Sequence, residues 1–181
     1  MTSIFVVLGL AGSGKSTQSK LLAENHGYHW LSVGQLLRDK ITGHLKEEML
    51  TGKVLEESIV TEVVEPELHL NSSDDHTIVL DGYPRGKEQA AWLIARQKAG
   101  KLQVKSVIHI KTGEELAKTR LLNRGRQDDN EEAIAERFQE YEHTIKPIIE
   151  EFKINNISVI AVNGEQAIEA VQNEILSALE S

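Results

Sequence analysis

The chain has 181 residues and a mass of 20.2 kDa, a length that suits one domain with room for a small inserted lobe. Hydrophobic residues make up 40% and charged residues 27%, which excludes a disordered chain, and the absence of Cys excludes disulfides, thiolate metal sites and a thiol nucleophile. The net charge of −8, from 20 Lys and Arg against 28 Asp and Glu, disfavours non-specific nucleic-acid binding, so a polyanionic ligand needs a local basic cluster.

Met1 to Gly14 is the longest uncharged stretch. It is shorter than the roughly 20 apolar residues that span a bilayer. It also lacks the basic start of a signal peptide, so the expectation is a cytoplasmic protein with no membrane partner. Within it, Ile4 to Leu8 is continuously apolar and β-branched, the mark of a strand buried on both faces. Lys15 to Glu24 reads as a helix and His29 to Leu31 as a short strand. Ser32 to Leu70 carries helical patterns, punctuated by Gly43 and Gly52, with no strand signal: a helical lobe inserted between two strands. Thr77 to Leu80 is a second buried strand, closed by Asp81, and Arg85 to Lys98 a helix. Val104 to Ile110 is a weaker strand pattern, followed by a helix over Glu114 to Arg124. Asp128-Asp129-Asn130 ahead of Glu131 and Glu132 marks a capped helix start, and Ile134, Phe138, Tyr141, Ile145, Ile148 and Phe152 form an amphipathic stripe. A strand over Ile157 to Val162 and a helix through Ile168, Val171, Ile175 and Leu179 complete the chain. Strands alternating with helices predict a three-layer α/β/α domain on a five-stranded parallel sheet.

Gly9-Leu-Ala-Gly-Ser-Gly14-Lys15-Ser16 matches the phosphate-loop pattern G-x-x-x-x-G-K-[ST], between a predicted strand and a predicted helix. Glycines there let backbone N–H groups wrap an anion, and the helix start adds its positive dipole end. Lys15 can reach outer phosphates, and the Ser16 hydroxyl can ligate Mg²⁺. The loop implies nucleoside-triphosphate binding and leaves kinase, motor and switch open.

Arg38, Arg85, Arg120, Arg124, Arg126 and Arg137 are a second signal. Arg120 and Arg124 share one helix face, Arg126 follows in a short turn, and Arg137 returns on the next helix. Converging guanidiniums suit phosphoryl transfer, whose catalysis is mostly positioning and charge neutralisation. Asp81, at the carboxyl end of a buried strand, is placed to hold Mg²⁺ through water. The seven histidines show no ligand spacing, Trp30 and Trp92 read as packing residues, and Glu47, Glu48, Glu56 and Glu57 read as solvated helix faces.

Four ordered blocks resemble the adenylate kinase family of nucleoside monophosphate kinases, in its short-lid form. They are Gly9 to Gln18, Leu31 to Arg38, Leu80-Asp-Gly-Tyr-Pro-Arg85 with Gln89, and Arg120 to Asn130 with Arg137. The resemblance implies one kinase domain: a core over 1–31, 71–124 and 130–181, a monophosphate-binding lobe over about 32–61 and a lid over about 125–129. It implies transfer of the γ-phosphoryl of Mg·ATP to a monophosphate, AMP as the preferred acceptor, by a monomer. Lys15, Arg85, Arg124, Arg126 and Arg137 would be catalytic. Gly12, Ser13, Gly14, Lys15, Ser16, Thr17, Arg120 and Gly164 would hold ATP, with Arg120 stacked on its base. Val33, Arg38, Leu55, Gly82, Arg85, Gln89, Arg126 and Arg137 would hold the acceptor, Gln89 at its base. Ser16 and Asp81 would hold Mg²⁺, and Asp128 and Asp129 would orient the lid arginines.

The chain departs from the family at Ala11, where Pro is usual, at Ser16, where Gly is usual, and at Gln35, where Asp is usual. Val33 stands where adenylate kinases often have Thr and pyrimidine monophosphate kinases have Ala, which leaves the acceptor base open between AMP and UMP or CMP. A small-metabolite kinase and a nucleotide-binding regulator without turnover are the other readings. Arg38 with Asp81 to Arg85 speaks against the first, and Lys15 with the six arginines against the second.

Overall fold

The computed structural model describes residues 1–50, 55–70, 76–126 and 129–180, with the side chains of residues 50, 69 and 70 left out. The strands are β1 (Thr2–Gly9), β2 (His29–Ser32), β3 (Thr77–Asp81), β4 (Leu102–Lys111) and β5 (Val159–Asn163). They pair in parallel in the order β2-β3-β1-β4-β5, so the apolar run that opens the chain is the central strand. This is the predicted α/β fold.

The helices are α1 (Lys15–His26), α2 (Val33–Lys40), α3 (His44–Leu50), α4 (Glu57–Leu70), α5 (Lys87–Lys98), α6 (Glu114–Arg124), α7 (Glu131–Glu140), α8 (Lys146–Ile154) and α9 (Ile168–Glu180). β1 is continuously apolar because both its faces are covered. Ile4, Val6 and Leu8 join one buried cluster with Leu93 of α5 and Phe152 of α8. Phe5 and Val7 join a second with Leu22 of α1 and Ile175 of α9. Burying such a side chain contributes about 1.5–3 kcal/mol, so both faces stabilise the same strand.

Two sequence patterns have local explanations. The weak β4 pattern comes from a bulge: Ile4 pairs with Val104 but Phe5 with Ser106, which leaves Lys105 as the extra residue. That puts Val104 and Val107 in one cluster and Ile108 and Ile110 in the other. The long amphipathic stripe is not one α-helix: α7 and α8 are joined by a π-helical segment, Tyr141–Ile145. The expected capped start is there, and Asn130 is the residue that caps α7, its Oδ1 accepting from the Ala133 amide at 2.9 Å.

The inserted segment is helical, as expected, but the boundary near residue 61 falls inside α4, which continues to Leu70. Val33, Leu37, Ile41, Val60, Val64 and Leu68 from this segment belong to the same buried cluster as β1 and α5. No helix among the described residues is long and apolar enough to cross a membrane.

Candidate active site

The carboxyl ends of β1 and β3 open onto a cleft of about 390 Å³. Its lining includes the phosphate loop, Arg38, Asp81, Arg85, Arg120, Arg124, Arg126 and Arg137. Chain segments far apart in sequence thus present six arginines and Lys15 to one space, in a chain whose net charge is −8.

Around the phosphate loop the backbone does most of the positioning. Gly12 has φ +82° and lies so close to α6 that an added Cβ would sit 2.4 Å from the Ala117 carbonyl oxygen, so no larger residue fits. Gly14 is the N-cap of α1, and Gly12, Gly14, Lys15, Ser16 and Thr17 all line the cleft. Gln18, the last residue of the block, is buried and donates to the Ile168 carbonyl of α9 instead. Lys15 Nζ donates to the Leu10 carbonyl at 2.8 Å. Burial pushes the Lys15 ammonium down to about 8, with Asp81 drawing it up and Arg85 pressing it down further.

Ser13, Gly164 and Val33 do not line the cleft. Ser13 is buried within the loop and Gly164 is buried against its backbone, where the Gly164 carbonyl accepts from Arg120 Nη1 at 2.9 Å. Val33 is 0% exposed and sits in the core, while its neighbours Ser32 and Gly34 line the cleft.

Around Arg38 and Arg85, side chains do the positioning. Gln35 Oε1 accepts from Arg38 Nη2 at 3.0 Å and Nε at 3.3 Å, while Gln35 Nε2 donates to Asp39. The family's usual Asp is therefore replaced by a neutral group that still aims Arg38. Leu55, Met49 and Val60 supply apolar walls beside Gly82. Gln89 lines the cleft, yet it is 1% exposed and its amide is engaged at both ends. Its Oε1 accepts from the Arg85 amide at 2.8 Å, and its Nε2 donates to the Glu57 carbonyl at 3.0 Å. The amide keeps one N–H and one lone pair beyond these bonds.

Between α6 and α7, the side chain of Asp129 is fully buried. It accepts from Arg124 Nε at 2.8 Å and Nη2 at 2.6 Å, from the Arg126 amide at 3.2 Å and from Arg137 Nη1 at 3.3 Å. Burial by itself would raise its carboxyl, but the Arg124 hydrogen bonds and the surrounding guanidiniums lower it overall. Asp129 was expected to orient arginines here, and it bonds Arg124 and Arg137; Asp128 lies outside the described residues, as do residues 51–54.

Asp81 is 3% exposed, ends β3 and faces the cleft with Ser16 and Thr17. A carboxylate beside hydroxyls is the hard-oxygen donor set Mg²⁺ takes, with phosphates and waters completing its shell. The residues present therefore fit the ion. Among the described residues there is no cluster of three or more His, Asp or Glu able to hold a metal.

Two site residues were not singled out from sequence. Glu57, read as part of a solvated face, lines the cleft and places its carboxylate on the first turn of α5, where Glu88 N donates at 3.1 Å and Gln89 N at 3.4 Å. A signal existed: α5 starts at Gly86 with no Ser, Thr, Asp or Asn to cap it, so its orphan N–H groups need an outside acceptor. Glu140 lines a small cavity with Lys15, Arg85 and Arg137, and nothing in its local sequence marked it.

The adenylate kinase family model matches residues 7–157. The chain is 34% identical over 182 residues to an adenylate kinase of Prochlorococcus marinus, covering 97% of each chain. It is 33% identical over 183 residues to an adenylate kinase of Helicobacter pylori, covering 97% of this chain and 95% of that one. It is also 33% identical over 181 residues to UMP-CMP kinase 3 of Arabidopsis thaliana, covering 96% of this chain and 87% of the relative. A match of this extent, on a cleft that gathers a phosphate loop and six arginines, makes the chain a member of the adenylate kinase family and a phosphotransferase of the nucleoside monophosphate kinase type.

Proposed function

We propose that the protein transfers the γ-phosphoryl group of Mg·ATP to AMP, giving two molecules of ADP. The observation that carries this reading is the shared cleft, whose lining brings Lys15 of the phosphate loop together with Arg38, Arg85, Arg124, Arg126 and Arg137. An oxygen of the acceptor's phosphate attacks the γ-phosphorus, and the bond to the β,γ-bridging oxygen breaks, leaving ADP. The acceptor phosphate is itself the nucleophile, so no protein base is required. Lys15 and the loop amides hold the donor phosphates, and Arg120 flanks the donor base. Arg38 and Arg85 hold the acceptor phosphate. Arg124, Arg126 and Arg137 stabilise the charge spread over the transferring phosphoryl. Mg²⁺, held from Ser16 and Asp81, supplies neutralisation of phosphate charge when bound. The reading includes a cytoplasmic monomer, and the net charge of −8 supports the absence of a nucleic-acid partner.

The likeness to a UMP-CMP kinase favours a second acceptor class, pyrimidine monophosphates. Since Val33 does not line the cleft, the choice of base falls to Leu55, Met49, Val60 and the remaining hydrogen-bonding capacity of Gln89, which do. A coupled assay of diphosphate formation with Mg·ATP and AMP, CMP, UMP or GMP, plus a control without acceptor, decides. Fastest turnover on AMP supports the first reading and preference for CMP or UMP the second. Release of ADP at the same rate without acceptor overturns both.

A further inference from the structure

Glu57 is tied to the segment that carries Arg85 by a closed set of hydrogen bonds. Its Oε2 accepts the amides of Glu88 and Gln89, its carbonyl accepts Gln89 Nε2, and Gln89 Oε1 accepts the Arg85 amide. The carboxylate lies directly over Gly86: a Cβ built there would come within 1.6 Å of the Glu57 carboxyl carbon. Gly86 has φ −137° and ψ 162°, an extended conformation open to any residue. Its lack of a side chain therefore serves the carboxylate, not the backbone. Glu57 is also the first residue of α4, the helix that links the inserted segment to the core. One side chain thus joins the lobe to the loop that presents a phosphate-holding arginine.

We infer that Glu57 is a positioning residue: through Gln89 it fixes the Arg85 backbone and clasps the acceptor lobe to the core, so that lobe seating and the aim of Arg85 are set together. The inference rests on the acceptor-side reading of Arg85 proposed above. It gives Gln89 a duty besides any contact with a base. It also separates Glu57 from Glu56, which remains exposed as the sequence suggested.

The test uses the full chain and the variants E57A, E57Q, G86A and E57A/G86A, each measured in two ways. In amide exchange, the Glu88, Gln89 and Arg85 N–H groups should exchange faster in E57A and G86A, a readout that needs no turnover. In kinetics, E57A and G86A should each raise KM for the monophosphate about tenfold while KM for ATP stays unchanged, since only acceptor positioning is lost. E57Q keeps an accepting oxygen and should recover most of the loss. The double variant should be no worse than either single one, because both remove the same contact. Unchanged exchange in E57A, equal rises in both KM values, or additive losses in the double variant would overturn the inference. A wild-type protein that phosphorylates no monophosphate would sink the proposed function instead, and the clasp would then be judged by the exchange rates.

Discussion

The two halves of the cleft are built on different principles. The donor half is backbone geometry: a loop between β1 and α1, squeezed against Ala117 so closely that Gly12 cannot be replaced. The acceptor half is side-chain geometry: Gln35 aims Arg38, and Glu57 with Gln89 holds the segment around Arg85. Backbone cradles demand fixed spacing within one short segment. Side-chain scaffolds are assembled from residues tens of positions apart and tolerate changes of residue type. The donor half is therefore expected to fail all at once and the acceptor half by degrees.

The largest expected effect is on the donor side. K15A should lower kcat by roughly 10³-fold or more in the coupled assay, with the thermal midpoint of unfolding little changed, because a point charge on the donor phosphates is lost and no core contact is. A smaller drop would mean that loop amides alone suffice. R124A and R137A come next, each expected to lower kcat roughly 10²- to 10³-fold at saturating substrates. D129A should cost about tenfold in kcat by freeing Arg124 and Arg137 from their common acceptor while leaving both charges present. If D129A were as damaging as R124A, orientation rather than charge would limit the lid.

A pH series separates the two halves without mutation. With Lys15 drawn down to about 8, kcat/KM for ATP should fall as the pH rises beyond that value, up to about tenfold per unit, because deprotonation removes the donor-side charge. With ATP saturating, kcat/KM for the acceptor should stay flat across the same range, since its arginines do not titrate there. The smallest effect lies outside the cleft. His109 is buried with Nε2 2.7 Å from the Tyr141 hydroxyl. Burial and nearby lysines push its pKa down to about 4 from an ordinary 6.5. The unfolded chain then binds more protons than the folded one between these values, so stability falls as the pH drops from about 6.5 to about 4. Thermal melts of the wild type and H109Q at pH 7 and pH 5 should show the gap between them narrow at the lower pH.

What the sequence made legible follows the same division. The strands next to β1, the phosphate loop and the lid arginines could be read because periodicity and spacing are local properties. The capped start of α7 was visible for the same reason. The burial of Val33 and the bonds of Glu57 were hidden because they depend on neighbours that one segment cannot reveal. Val33 looks like a base-facing position by its place in a motif, and its packing into the core cluster shows only once the segment is folded. Glu57 looks like a solvated acid until α5, thirty residues on, turns out to begin without a cap of its own. The break of one amphipathic stripe into α7, a π-helical segment and α8 was hidden because a π turn still keeps apolar residues on one face.

The burial of Val60, Val64 and Leu68 with the strands of the main sheet bears on how the protein comes apart. A lobe with its own interior could melt early and leave the rest standing. Here one hydrophobic interior serves both parts, so heat or urea should produce a single cooperative transition. For the same reason the acceptor lobe can rock against the core only by sliding packed side chains, not by detaching. Its mobility and the stability of the whole chain are in that sense one property.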